Sequence, residues 1–129
     1  MDYYHSKILK GTSFDQAIQR VTTELQNEGF GILTEIDVSQ TLKKKLNVDF
    51  SPYKILGACN PAFAYQALKA ENKIGTMLPC NVIIQQAEND DIEVSVVDPI
   101  KSMQAVNNEG LGKIATEIRG KLLIVLNRI

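Results

Sequence analysis

This 129-residue sequence predicts an α+β domain, a largely antiparallel sheet with helices packed on one face. Three observations carry that expectation. Stretches with the helical period alternate with short strand-like runs. A polar tip, Glu88-Asn89-Asp90-Asp91, joins two of those runs as a hairpin late in the chain. The strands alternate polar and apolar residues, as in a sheet with one wet face. A doubly wound parallel sheet is the competing arrangement, and no glycine-rich phosphate loop supports it.

Residues 3–9 combine β-formers and apolar residues and predict the first strand. Thr12 or Ser13 then caps a helix, and Gln16, three residues after Ser13, completes a capping box. Phe14, Ala17, Ile18, Val21 and Leu25 fall on one stripe, so this helix lies on a core. Asn27-Glu28-Gly29 ends it, glycine being free to take the left-handed cap conformation. Residues 30–37, FGILTEID, predict a second strand with Ile32, Thr34 and Ile36 on one face and Leu33 and Glu35 on the other.

A short helix over residues 39–46 and a turn at 49–52 follow, then a third strand at 53–58. Asn60 is placed as an N-cap with Pro61 at the first helical position, opening a helix to about Ala70. Leu78-Pro79 leads into a strand over 80–86, and the hairpin returns as residues 92–97. Asp98-Pro99 breaks that strand and starts a short helical piece ending near Asn107. In the last helix Leu111, Ile114, Ala115, Ile118, Leu122, Val125, Leu126 and Ile129 keep the helical period.

The length suits one domain, residues 1–129, with a core that needs no disulfide or metal staple. The longest uncharged apolar run, LLIVL, is far too short to span a membrane, and no secretory layout opens the chain. A cytoplasmic location with reduced thiols is the expectation. Net charge is −1, and the one basic cluster, Lys43-Lys44-Lys45, reads as the solvated face of a helix. No nucleic-acid partner is expected.

The two cysteines share a neighbourhood. Cys59-Asn60-Pro61 and Pro79-Cys80-Asn81 both pair Cys with Asn beside a proline. The segments GFGILTEID, TLKKKLNVDFSPYKILGACNP, GTMLPCNV and VVDP, in that order, resemble the family called domain of unknown function 302, over nearly the whole chain. The resemblance implies a small α+β domain with a TATA-binding-protein-like architecture and a homodimer. It implies no established activity, and any cofactor is left unknown.

The candidate site residues are Cys59, Asn60, Cys80, Asn81, Glu35 and Asp37. Cys59 precedes a helix N-terminus, where exposed amides favour a thiolate, or else it simply fills space. Cys80 enters the next strand, which allows the two thiols to meet on one rim of the sheet. Asn60 suits a cap, and Asn81 either fixes a turn or points into a pocket. Glu35 and Asp37 stand two apart on a strand and share a face with Leu33. They suit acid–base work or, for Asp37 and likewise Asp98, helix capping.

Two thiols make half a zinc site, and a helix separates them, so no metal is expected. With His5 the lone histidine, a histidine-based hydrolase is not expected either. Tyr53 and Tyr65 flank the Cys59 segment and are candidates to line its cavity. The first functional expectation is a homodimer that binds a small molecule or anion in a pocket lined by the two Cys-Asn segments, with Glu35 nearby. The alternative is thiol-based sulfur transfer or redox chemistry at Cys59 with Cys80. A third is an interaction subunit with both cysteines buried.

Overall fold

The fold is seen in a computed structural model that describes residues 2–129. Strands β1 (Tyr4–Leu9), β2 (Gly31–Asp37), β3 (Tyr53–Cys59), β4 (Cys80–Gln86) and β5 (Ile92–Val97) form one sheet in the order β1-β5-β4-β3-β2. Every neighbouring pair is antiparallel, which excludes the doubly wound alternative. The helices are α1 (Phe14–Asn27), α2 (Val38–Leu46), α3 (Pro61–Ala70), α4 (Pro99–Ser102) and α5 (Glu109–Arg128). A 3-10 turn at Ile74–Met77 precedes β4, and the Leu78–Pro79 peptide is cis.

Helix α1 connects the two edge strands, and its ends are built locally. Ser13 Oγ accepts from the Gln16 amide and the Gln16 side chain accepts from the Ser13 amide, both at 3.1 Å. These bonds satisfy N-terminal groups that the helix itself cannot. At the other end Gly29, with φ +87°, lets the Phe30 amide reach back to the Leu25 carbonyl at 2.9 Å. That left-handed residue and its reversed bond stop the helix and turn the chain into β2. Ala17, Val21 and Leu25 along the inner stripe are fully buried.

The main core lies between the sheet and the α1–α5 layer. Leu56 and Ala58 of β3, Val82 and Ile84 of β4, and Ile92, Val94 and Val96 of β5 all point into it. Helix α5 contributes Ile118, Leu122, Val125 and Leu126. A second cluster of Ala67, Ile74, Met103, Leu111 and Ala115 joins α3 to the start of α5. No helix of the described residues is long and apolar enough to cross a membrane.

Three expectations need correction. The ladder between β2 and β3 slips between Ile32 and Thr34, so Leu33 is an extra residue bulged from the edge strand and 65% exposed. A bulge reverses the alternation beyond it. Ile32 therefore pairs with Ala58 on the helix side, while Thr34 and Ile36 pair with Gly57 and Ile55 on the opposite side. Glu35 and Asp37 stay on one face, opposite Leu56 and Lys54. The piece after Pro99 is helical only to Ser102, with turns from there to α5. Asn60 holds the N-cap position of α3 but makes no side-chain cap. Its amide instead donates to the Glu28 carbonyl at 3.3 Å, tying α3 to the end of α1.

Candidate functional site

The helices cover one face of the sheet and leave the other open. Antiparallel register lays the open face out in rows, because residues paired across strands share a face. One row runs Ile8, Glu93, Gln85, Tyr53 from β1 to β3. The next runs Ser6, Ser95, Ile83, Ile55, Ile36. A third holds Tyr4 and Val97 on one side and Asn81, Gly57 and Thr34 on the other. No lysine or arginine stands in these rows.

A groove of about 460 Å³ follows this face. Asn81, Ile83 and Gln85 of β4 run along its floor, Glu93, Ser95 and Val97 of β5 lie beside them, and Tyr3, Tyr4 and Tyr53 stand around them. The Tyr3 and Tyr4 rings meet edge to face with centroids 5.0 Å apart. Ser6 and Ser95 share a hydroxyl–hydroxyl bond of 2.6 Å, and Ser95 is buried although no helix covers it. Gln85 Nε2 donates to Glu93 Oε1 at 3.4 Å. Asn81 is exposed in the groove.

Gly57 sits at a close approach on β3. A Cβ there would collide with Thr34 Oγ1 and approach Pro79 Cγ to 2.7 Å. Glycine lets the edge strand and the Pro79 ring approach β3 closely.

The two Cys-Asn segments do meet at the same end of the sheet, where Ala58 pairs with Cys80. They border one small cavity but do not lie on one face of the sheet. Cys80 lies on the helix side with Ala58, whereas Cys59, paired with Gly31, falls on the opposite side by the strand period. Asn81 likewise turns away from Cys80 into the groove. On the helix side the Ala58–Asn60 segment and Cys80 border a small apolar cavity of about 30 Å³ under Phe63, Met103 and Ile118. That is room for about one water among walls offering it few partners.

Both cysteines are free. Burial raises the pKa of Cys59, and burial together with the nearby Cys59 charge pushes Cys80 up to about 11. The amides at the start of α3 therefore do not make Cys59 a ready thiolate. Among the described residues, no group of three or more His, Cys, Asp and Glu side chains is arranged to hold a metal.

The remaining candidates lie apart. Glu35 is exposed on the edge strand, away from the groove. Asp37 caps α2, its Oδ1 accepting from the Gln40 amide at 2.9 Å and from Ser39 Oγ at 3.3 Å. It borders a wide surface depression of about 550 Å³ where Lys43 pairs with Asp49 at 2.9 Å. Tyr53 enters the open-face groove, and Tyr65 is exposed on α3 beneath Lys69, so the two share no cavity.

Asp98 does more than cap. Its Oδ1 accepts from the Ile100 and Lys101 amides at 2.9 and 3.3 Å, while Oδ2 takes His5 Nε2 at 2.8 Å and Arg119 Nε at 3.0 Å. Burial pulls its pKa upward, and these hydrogen bonds together outweigh burial and hold it below the usual carboxylate value. The cluster clamps β1, α4 and α5 together on the side away from the groove.

Fold and groove together define a sheet-and-helix α+β domain with one uncovered, uncharged-to-acidic sheet face. The chain matches the family described as Domain of unknown function DUF302 over residues 5–129, and it belongs to that family. Among solved structures it is similar to an uncharacterized conserved DUF302 protein from Bacillus stearothermophilus, with 29% identity and a TM-score of 0.91. That likeness covers 99% of this chain and 98% of the other. No curated protein matches the chain.

Proposed function

We propose that this domain is a homodimeric small-molecule-binding protein whose ligand lies on the open sheet face over Asn81, Ile83 and Gln85. The groove carries the proposal. Its volume of about 460 Å³ falls in the range of ligand sites, about 300–1,000 Å³. Its composition is also that of such sites, an apolar and aromatic surround with a few polar groups that fix orientation. Of the Cys-Asn segments, Asn81 contributes a hydrogen-bonding group to this groove, while Cys59, Asn60 and Cys80 border the small separate cavity.

The face favours some partners over others. With no lysine or arginine in its rows, it offers nothing to a phosphate backbone or a free anion. The raised pKa values of both thiols weigh against sulfur transfer or redox chemistry, which needs a thiolate. Homodimerisation comes from the family resemblance, and exposed apolar side chains at Leu46, Val48 and Phe50 offer a contact surface on the α2–β3 connection.

The test is a fragment screen by amide NMR on the wild type, Asn81→Ala and Ile83→Asp, with sedimentation velocity for the dimer. Ligands that shift β4 and β5 resonances and lose binding in the variants support the reading. A screen without hits on this face, or hits indifferent to both substitutions, overturns it.

A further inference from the structure

Glu93 is the one formally charged side chain in the three open-face rows, and none of the ion pairs among the described residues involves it. It is half-buried, between Ile8 and Gln85 in its row, and its recorded side-chain contact is the long 3.4 Å bond from Gln85. A carboxylate losing water on a largely apolar surface is stabilised by a cation or by strong donors. The protein supplies Gln85 alone.

The row supplies the rest of a cation site. Tyr53 stands on the far side of Gln85, two strands from Glu93, which is about 10 Å between backbones at the usual strand spacing. A group seated over Gln85 lies between the carboxylate and the Tyr53 ring. Rings attract cations within about 6 Å of their centroids. Because Gln85 gives its Nε2 to Glu93, its Oε1 remains as an acceptor. A carboxylate, an amide oxygen and an aromatic ring thus stand along one row of the groove. In the next row, about 7 Å along the strands, Ile83 and Ile55 follow Ser95 and are a floor for an apolar chain.

We propose that the Glu93–Gln85–Tyr53 row binds the ammonium group of an organic amine whose apolar body runs along Ile83 toward Asn81. This rests on the open-face reading above and adds the ligand's charge and orientation.

The probes are n-hexylammonium, 1-hexanol and hexanoate, which share one apolar body and differ in the head group. Each is titrated into the intact protein with amide and side-chain NMR as readout, at low salt. The expected result is that hexylammonium binds about tenfold or more tightly than hexanol, with the largest shifts at Gln85, Glu93 and Tyr53. In Glu93→Gln that preference disappears while hexanol binding is unchanged, and Glu93→Asp retains part of it. Thermal unfolding of each variant confirms that the fold persists. Equal binding of hexanol and hexylammonium, or tighter hexanoate, overturns the ammonium site and leaves the groove standing. Three silent probes on the wild-type face overturn both.

Discussion

Replacing Asp98 by Asn tests the buried clamp most directly. Asp98 is 4% exposed and accepts four hydrogen bonds, two from amides that it caps and two from His5 and Arg119. Asparagine keeps the capping oxygen but turns an NH₂ toward Arg119, so that charged donor loses its acceptor. A hydrogen bond to a charged group contributes about 1.5–3 kcal/mol. Arg119 is 38% exposed and regains some water, which puts the expected loss near 2 kcal/mol. Asp98→Ala also removes the cap, adding about 1 kcal/mol. The pH dependence fixes the cause. A depressed folded pKa stabilises the protein above the unfolded value of about 3.9, and that stability is lost as pH falls through the folded value. Urea unfolding followed by circular dichroism is then run at pH 7 and pH 3. A gap near 2 kcal/mol at pH 7 that narrows at pH 3 is expected. A gap under about 0.5 kcal/mol at pH 7, or one identical at both pH values, refutes the clamp.

Other expectations follow from single sites. Neither thiol reacts with iodoacetamide at pH 7 faster than a peptide thiol, and Cys80 stays protected up to about pH 10 in the folded protein, read by mass spectrometry. A fast Cys59 near neutral pH would restore the thiol reading. Gly57→Ala forces Thr34 and Pro79 apart and is expected to cost about 1–3 kcal/mol, part of it recovered in a Thr34→Ala background, measured by urea midpoint. Leu25→Ala, at a fully buried contact of α1, is expected to cost about 2–5 kcal/mol, and a loss below 1 would contradict the packing of α1 on the sheet.

What the sequence disclosed divides by distance along the chain. The Ser13 capping box, the Gly29 stop and the Asp37 cap join residues within about five positions of each other, so residue type and spacing suffice. His5 and Asp98 are 93 residues apart, and nothing local marks Asp98 as more than a cap. The bulge at Leu33 is equally hidden, because GILTE alternates plausibly until a partner strand shows where the ladder slips. Cys80 and Asn81 line different cavities for a readable reason. Adjacent strand residues point to opposite faces, so once Cys80 was placed in a strand, the pair could not line one pocket. The groove itself was illegible, since it gathers β1, β5, β4 and β3, an order that sequence does not carry.

The open face bears polar groups that stability does not require. Replacing both members of a hydrogen-bonded pair by apolar groups is close to neutral, so the Ser6–Ser95 bond adds little that alanines would lack. Glu93 without a cation is, if anything, a cost on such a surface. The sheet's stability instead comes from the other face, where Leu56, Val82, Ile84, Val94 and Val96 meet α1 and α5. One face of the same five strands therefore holds the fold together. The other places two hydroxyls, two carboxamides, a carboxylate and three tyrosines along a groove, and on that set the proposed ligand site rests.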